Sequence, residues 1–235
     1  MDKRAIITGA SSGIGYAISE AALNQGYLVT GQGRDFSKVP RQPTTTVVLD
    51  LADTRAVKEY CQSVRKDSAP LDLLVLNAGY GQFGSLEQFS SDQIESMIAV
   101  NVTANLLILA AVMPKMKAQK TGDVVLIGSE SALVGAKQGS VYCAGKFALR
   151  GIAQSLQAEC AGTGVRVILV NPGPVRSNFF NKLNFEPEHG NEHAMAPQDV
   201  AQCVFDTLAL PRTVIVEEVN LQTSKRVFVK KQPTN

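Results

Sequence analysis

The chain has 235 residues, of which 45% are apolar and 19% are charged, and its formal net charge is +2. A chain of this length and composition fits one α/β domain of ordinary size that buries most of its apolar surface. The near-neutral charge does not indicate the basic surface that a nucleic-acid-binding protein needs. We therefore expect a single domain over residues 1–235 without a polyanionic partner.

The cellular location is predicted from the cysteines and the first residues. The four cysteines lack Cys-x-x-Cys spacing and the density of a disulfide scaffold, so reduced thiols in a cytoplasmic protein are expected. The N-terminus runs directly into an apolar strand, which leaves no room for a signal peptide. No apolar run reaches the roughly 18 residues of a membrane span, so no membrane association is expected.

A glycine-rich turn follows the first predicted strand, at residues 5–7, and precedes a helical repeat of apolar residues that ends near Gly26. The turn contains Gly9, Ser11, Ser12, Gly13, Ile14 and Gly15. Glycine lets the main chain turn tightly and lets a pyrophosphate approach it, while the helix N-terminus offers free N–H groups. The pattern predicts a dinucleotide ligand. A purely structural turn in another α/β protein is the alternative.

Strands and helices alternate along the chain. Further strands are predicted at residues 28–30, 46–49, 73–76, 124–127, 165–170 and 213–219, and further helices at residues 56–64, from a cap at Ser91 or Asp92 to Met116, and at residues 142–160 and 197–208. The crossover after the second strand carries Pro40 and Pro43 and is predicted to be irregular or only briefly helical. This alternation predicts a doubly wound, mostly parallel seven-stranded sheet of Rossmann type, with helices on both faces.

Short polar segments follow several predicted strands, at the edge where a parallel sheet binds its ligand. They contain Asp50 and Leu51, then Asn77, Ala78 and Gly79, and finally Pro172, Gly173, Val175 and Ser177. Asn101 lies on an otherwise apolar helix. Such an asparagine is most often a satisfied structural group, and a catalytic role is the alternative.

Tyr142 and Lys146 form the chemical centre of the prediction. They are four residues apart, so on a helix both side chains leave the same face. A lysine cation favours the phenolate and is expected to lower the pKa of Tyr142 toward the working range. Ser129, at the end of an apolar strand, can face Tyr142 and stabilise negative charge on a carbonyl oxygen. Tyr-x-x-x-Lys occurs often by chance, but of the five tyrosines only Tyr142 has a lysine at that place.

Residues 179–196 are predicted to form an irregular, mobile loop that lies beside the active site as a lid. Substrate specificity is expected from this loop and from Gly81, Phe83, Glu130, Leu133 and Val134. The pairs Glu188-His189 and Glu192-His193 can be drawn as a metal cluster, but a flexible polar loop offers no ordered set of ligands. No metal is therefore expected.

Together these motifs resemble those of the short-chain dehydrogenase/reductase family over essentially the whole chain. The matching residues are Thr8-Gly9-x-x-x-Gly13-Ile14-Gly15, Asp50-Leu51, Asn77-Ala78-Gly79, Asn101, Ser129, Tyr142-x-x-x-Lys146 and Pro172-Gly173-x-Val175. The resemblance implies that Tyr142 is the acid/base, that Lys146 lowers its pKa and holds the nicotinamide ribose, and that Ser129 orients the carbonyl. It also implies that Asn101 carries a water in a proton relay. Ser177 stands where threonine is usual, and Leu76 where a second asparagine is common.

The end of the second strand predicts the cofactor. An NAD-selective site places a carboxylate there to bind the ribose hydroxyls, but the corresponding residue is Gly33. The guanidinium of the neighbouring Arg34 can bind a 2′-phosphate, and Ser12 adds a donor. Asp35 is the contrary observation, because a small error of register would bring it to the ribose. NADP(H) is preferred, with NAD(H) as the alternative.

The resulting prediction is an NADP(H)-dependent oxidoreductase acting on a small or medium-sized carbonyl or alcohol. A catalytically idle dinucleotide-binding sensor and a lyase or epimerase on the same fold are the alternatives. The helices at residues 94–116 and 142–160 carry more apolar surface than one sheet face needs, and relatives pair through them. A homodimer or homotetramer is therefore expected.

Overall fold

A computed structural model describes residues 2–231 of the chain. Its strands are β1 (Arg4–Thr8), β2 (Leu28–Gly33), β3 (Thr45–Val48), β4 (Leu73–Leu76), β5 (Gly122–Ile127), β6 (Val165–Pro172), β7 (Phe185–Pro187), β8 (Glu218–Leu221) and β9 (Phe228–Lys230). Seven of them form one parallel sheet in the order β3-β2-β1-β4-β5-β6-β8. The order reverses between β1 and β4, which is where such a sheet binds its ligand. The predicted doubly wound fold is confirmed.

Residues 2–231 form six α-helices: α1 (Gly13–Asn24), α2 (Thr54–Lys66), α3 (Ser91–Ile98), α4 (Ala104–Gln119), α5 (Ser140–Cys160) and α6 (Pro197–Ala209). Helices α2, α4 and α5 pack on one face of the sheet, and α1 and α6 on the other. Neighbouring residues of a strand point to opposite faces, so Leu74 belongs to the first core and Val75 to the second. Because both faces are covered, the central strands are continuously apolar.

The predicted helix ending near Met116 is interrupted. A π-helical turn at Ala99–Thr103 separates α3 from α4, and the cap is Ser90, whose Oγ accepts from the backbone N of Gln93, rather than Ser91 or Asp92. By length and composition, Ser91–Gln119 would also be apolar enough to cross a membrane, but 56% of its most apolar window is buried within the protein. A helical segment buried to this extent is typical of a core helix that packs on a sheet.

The crossover between β2 and β3 contains no helix, as the two prolines predict. Phe36 and Val39 fold inward from it and join the core beside α1. The first residues after β2 therefore stay close to the sheet edge, where they can reach a bound ligand.

Two expectations near the C-terminus are wrong. The last strand of the large sheet is Glu218–Leu221 and not residues 213–219, and both Val214 and Ile215 are exposed. The segment at residues 179–196, expected to be irregular, contains the short strand β7, which pairs antiparallel with β9. The partner strand lies some forty residues later in the chain, so the sequence of the segment alone does not predict the pairing.

Candidate active site

One cavity of about 1190 Å³ lies at the carboxyl ends of β1, β4, β5 and β6. Ligand pockets commonly measure about 300–1,000 Å³, so its size suits a cofactor together with a substrate. Most of the site residues that the sequence predicts line this cavity. They are Gly9, Ser11, Ser12, Gly13, Ile14, Arg34, Asp50, Leu51, Asn77, Ala78, Gly79, Ser129, Tyr142, Lys146, Pro172, Gly173, Val175 and Ser177. Gly15 and Asn101 lie behind its wall. The fold thus brings segments from the whole chain to one place.

The glycine turn has the backbone geometry that glycine permits. Gly9 and Gly13 have positive φ angles of 67° and 55°, in the left-handed region that other residues rarely adopt. Gly15 is needed for packing instead, because a Cβ there would overlap the carbonyl oxygen of Gly9 and the side-chain amide of Asn77. The absence of a side chain at Gly15 thus lets α1 lie against β1, and its predicted contact with a cofactor stays a prediction.

The N-terminus of α1 fits the phosphates of a dinucleotide. Ser12 is its cap residue, yet the Ser12 side chain makes no capping hydrogen bond, and no acidic residue lies in the first turn. The first N–H groups of the helix therefore keep the capacity and the positive potential to bind an anion.

Hydrogen bonds of Thr8 and Asn77 hold the glycine turn in place. The sequence alone did not indicate this structural role of Thr8. The buried Oγ1 of Thr8 accepts hydrogen bonds from the backbone N atoms of Asn77 and Ala78, both at 2.9 Å. In return Nδ2 of Asn77 donates to the carbonyl oxygen of Thr8 at 3.0 Å. These bonds tie the end of β4 to the end of β1, so the Asn77 amide positions the turn while its backbone lines the cavity.

The end of β2 is arranged around Ser11. A Cβ at Gly33 would lie 2.8 Å from Ser11 Oγ, so a carboxylate side chain does not fit there without moving Ser11. Arg34 is exposed, lines the cavity and makes no hydrogen bond or ion pair with residues 2–231. Asp35 turns away, since its carboxylate accepts from Ser37 N at 2.8 Å and Ser37 Oγ at 3.0 Å. This hydrogen bonding to Ser37 also lowers the pKa of Asp35.

The catalytic candidates meet at the inner end of the cavity. Ser129 follows β5, and its backbone N donates to Oδ1 of Asn171 on β6 at 3.2 Å, which holds the start of the turn. Tyr142 and Lys146 lie on α5, both almost fully buried, with Lys146 Nζ 5.8 Å from the centre of the Tyr142 ring. The same Nζ donates to the carbonyl oxygen of Ile127 at 3.0 Å. The expected proximity of the three side chains is therefore observed.

The pKa of Tyr142 is shifted in the direction opposite to the one expected from the sequence. Burial raises the pKa of Tyr142 to about 12, and the neighbouring Ser129 hydroxyl opposes this only in part. Burial also lowers the pKa of Lys146 to about 8. Desolvation disfavours the charged form of each group, and it is the largest cause of both changes in pKa.

Asn101 lies in the π-helical turn between α3 and α4. Its Oδ1 accepts from the backbone N of Tyr80 at 3.1 Å, and its Nδ2 donates to the carbonyl oxygen of Tyr80 at 2.9 Å. Its own carbonyl oxygen accepts from Nδ2 of Asn105 at 2.8 Å. The side-chain amide of Asn101 therefore helps to hold the loop after β4. π-helical turns are often found at functional sites, and the catalytic role of Asn101 stays a prediction.

The segment after β6 closes the cavity over the glycine turn. The backbone N of Gly173 donates to the carbonyl oxygen of Leu221 on β8 at 2.8 Å, and Val175 forms an isolated parallel bridge with Met195. Ser177 lies directly over the turn, since a Cβ on Gly13 would be 3.2 Å from the Cβ of Ser177. The Ser177 hydroxyl accepts a long bond of 3.4 Å from Phe179 N.

The C-terminal segment contributes residues that the sequence analysis did not single out. Arg226 and Phe228 line the cavity, and Nη2 of Arg226 forms an ion pair of 2.7 Å with Oε1 of Glu130, the neighbour of Ser129. Gln222 Nε2 donates to the other carboxylate oxygen at 3.2 Å. The local sequence does not predict these contacts, because the fold brings Gln222 and Arg226 to Glu130 from a distant part of the chain.

Comparison with known proteins gives the family. A sequence model of the short chain dehydrogenase family matches residues 3–188. An uncharacterized oxidoreductase of Staphylococcus saprophyticus is 32% identical over 231 residues, which cover 94% of this chain and 97% of that protein. The chain belongs to the short-chain dehydrogenase/reductase family of oxidoreductases.

Solved structures share the fold. An alcohol dehydrogenase from the archaeon Thermococcus sibiricus, complexed with 5-hydroxy-NADP, superposes with a TM-score of 0.82 at 28% identity, covering 96% of this chain and 98% of that one. A 4-hydroxyisoleucine dehydrogenase complexed with NADH has the same TM-score at 21% identity, covering 94% and 98%. The fold thus occurs with either form of the nicotinamide cofactor.

Proposed function

We propose that this protein is an NADP(H)-dependent oxidoreductase that reduces the carbonyl group, or oxidises the secondary alcohol, of a small or medium-sized substrate. The observation that carries the proposal is the convergence of Ser129, Tyr142 and Lys146 in the cavity that also contains the glycine turn. A sensor that only binds a dinucleotide has no need of this set of side chains beside the nicotinamide end of the site.

Tyr142 is the proton donor in this proposal. A phenol whose burial raises its pKa to about 12 keeps its proton at neutral pH, so the acid form is the resting state. The nicotinamide, when bound, supplies the hydride. Negative charge then develops on the substrate oxygen, which becomes a stronger base than the phenolate, and the proton passes to it from the Tyr142 oxygen.

Ser129 and Lys146 support this transfer. The Ser129 hydroxyl lines the cavity close to the phenol and can donate to the substrate oxygen as charge develops on it. Lys146 is charged at neutral pH even with its lowered pKa of about 8. Its ammonium group stabilises the phenolate that proton transfer leaves behind, and its two remaining N–H donors can hold a ribose hydroxyl.

The preference for NADP(H) rests on the end of β2. Ser11 occupies the space that a ribose-binding carboxylate at position 33 would need, and Asp35 is engaged by Ser37. Arg34 is the exposed cation at this end of the cavity. Its planar guanidinium can bind a 2′-phosphate through two hydrogen bonds. NAD(H), without that phosphate, gains nothing from Arg34.

The proposal is tested by Tyr142→Phe. We expect the variant to keep its fold and cofactor binding and to lose turnover by about 10² to 10⁴, the usual contribution of a general acid. The measurement is NADPH oxidation with a panel of ketones, aldehydes, quinones and hydroxy acids, together with calorimetric titration of the cofactor. Tyr60→Phe, outside the cavity on α2, is the matched control. A Tyr142→Phe variant with most of its activity would contradict the assignment.

A further inference from the structure

Six aromatic rings form a continuous network along the cavity wall around Tyr142. The rings of Phe83 and Phe179 lie 5.5 and 5.6 Å from that of Tyr142. The network continues through ring pairs at centroid distances of 5.2 to 6.2 Å that join Phe83, Phe179, Phe180, Phe185 and Phe228. All six rings line the cavity, so this side of the catalytic tyrosine is an aromatic surface.

Gly81, in the loop after β4, lets three rings of this surface pack close to the main chain. A Cβ at Gly81 would lie 2.8 Å from the Phe179 ring, 3.0 Å from the Tyr142 ring and 3.2 Å from the Phe83 ring. Any larger residue at position 81 would push these rings apart. The absence of a side chain at position 81 therefore lets the three rings keep these positions.

The outer rings are held by two segments that are distant in sequence. Phe185 lies on β7 and Phe228 on β9, and the two strands pair antiparallel. The pairing is extended by a bond of 3.0 Å from Glu188 N to the Val227 carbonyl oxygen and one of 2.9 Å from Lys231 N to the Asn184 carbonyl oxygen. The aromatic surface is therefore a built part of the fold.

Apart from Lys146, the charged side chains that line this half of the cavity are either paired or exposed. Glu130 is paired with Arg226 and bonded by Gln222, so its charge is compensated within the protein. Lys137 and Lys182 line the cavity from exposed positions. A substrate that places its carbonyl at Tyr142 thus meets the rings of Phe83 and Phe179, which lie next to the Tyr142 ring.

We infer that the substrate carries an aromatic ring within one or two bonds of its carbonyl or carbinol carbon, and that this ring packs edge-to-face against the network formed by Phe83, Phe179, Phe180, Phe185 and Phe228. The inference rests on the proposed function, since it assigns a substrate class to the same site. Aromatic pairs at these distances contribute more than the burial of equal apolar area, so the site should distinguish an aromatic ring from a saturated ring of the same size.

The test uses three uncharged ketones: phenylacetone, cyclohexylacetone and butanone. The first two have the same carbon skeleton, and in neither is the carbonyl conjugated with the ring. For the wild-type protein with NADPH we expect kcat/KM for phenylacetone to exceed that for cyclohexylacetone by about three- to tenfold, the usual strength of an aromatic pair beyond its buried area. A wild type that reduces the saturated ketone equally well or better overturns the inference.

The variants Phe228→Leu and Phe185→Leu keep apolar volume but remove a ring. Each should lower kcat/KM for phenylacetone more than kcat/KM for cyclohexylacetone or for butanone, and so bring the two ring ketones toward the same value. Phe228→Tyr keeps the ring and should behave as the wild type. Equal losses for butanone and phenylacetone in both leucine variants would show that the rings only hold the fold, and would overturn the inference.

Failure of the proposed function gives a different result. A wild type that reduces butanone with a requirement for Tyr142, but does not favour phenylacetone, keeps the function and overturns the substrate class. A wild type that binds NADPH and reduces none of the ketones, with Tyr142→Phe indistinguishable from it in every assay of the broad panel, overturns the function and the substrate class together.

Discussion

Arg34 is the residue on which the choice of cofactor depends. We expect Arg34→Ala to weaken NADPH binding by about 1.5 to 3 kcal/mol, the usual strength of hydrogen bonds to a charged group, and to leave NADH binding nearly unchanged. Calorimetric titration of both cofactors measures this. Arg41→Ala is the matched control, because Arg41 bonds Asn24 outside the cavity. Equal losses for both cofactors, or tighter binding of NADH by the wild type, would overturn the preference.

Because of Lys146, the free energy of unfolding of the cofactor-free protein is expected to rise with pH in the alkaline range. The folded pKa of Lys146, about 8, lies below the ordinary value of 10.5, so between these values the unfolded chain binds a proton that the folded chain does not. The free energy of unfolding then rises with pH. Relative to Lys146→Met, the wild type should gain up to about 3 kcal/mol between pH 8 and 10.5, at about 1.4 kcal/mol per pKa unit.

Denaturant unfolding of both proteins without cofactor, at pH 8 and at pH 10.5, measures this gain. The other alkaline groups are common to the two chains and cancel in the difference. A difference in unfolding free energy that stays constant over this range would show that Lys146 is not desolvated as the structure indicates.

The glycine turn and α1 act as one element, because the turn can approach the helix only where side chains are absent. We expect Gly15→Ala to lower the free energy of unfolding by about 1 to 3 kcal/mol, the usual cost of overpacking, since its Cβ would overlap Gly9 and Asn77. The displaced turn should also bind NADPH more weakly. Thermal unfolding and calorimetric titration measure the two effects.

Gly151→Ala is the matched control for this prediction. Gly151 lies within α5, and a Cβ there would meet no atom within 4 Å. Alanine is favoured over glycine in a helix interior by about 1 kcal/mol, so this change should preserve or raise stability. If Gly15→Ala behaved as Gly151→Ala does, the close contact between α1 and β1 would not exist in solution.

The π-helical turn is the second element that shapes the site. It places Asn101 against the loop after β4, where the amide bonds both backbone polar groups of Tyr80. It also places Asn101 against Gly145. A Cβ at Gly145 would lie 3.1 Å from the Cβ of Asn101, so the absence of a side chain at Gly145 leaves room for Asn101. The turn thereby sets the distance between α5, which carries Tyr142, and the loop that lines the cavity.

At the scale of the whole molecule we propose a homodimer or homotetramer that pairs through α4 and α5. Each helix exposes a large apolar side chain, Leu106 at 47% and Phe147 at 45%. Light scattering at micromolar concentration should give a multiple of the 25.1 kDa chain, and Phe147→Glu should shift the mass toward one chain. Leu28→Glu, at an exposed position on β2, is the control and should not. A monomeric wild type would contradict the proposal.

Most of the fold and the positions of the main site residues follow from the sequence alone. Apolar runs of strand length alternate with helical repeats, and such a chain has few arrangements other than a doubly wound parallel sheet. The carboxyl ends of the strands then lie at one edge, so the polar segments around Gly9, Asn77, Ser129 and Gly173 had to meet there. Local pattern was sufficient because each of these elements is defined by residues close together in the chain.

Only the tertiary structure decided the features that depend on distant contacts. The pairing of β7 with β9 orders a segment that was expected to be a loop and places its aromatic rings along the cavity. The ion pair of Glu130 with Arg226 joins residues 96 positions apart. Desolvation reversed the expected change in the pKa of Tyr142, because burial is a property of the packed molecule. The amide of Asn101 took a structural role for the same reason: its partner, Tyr80, is brought to it by the fold.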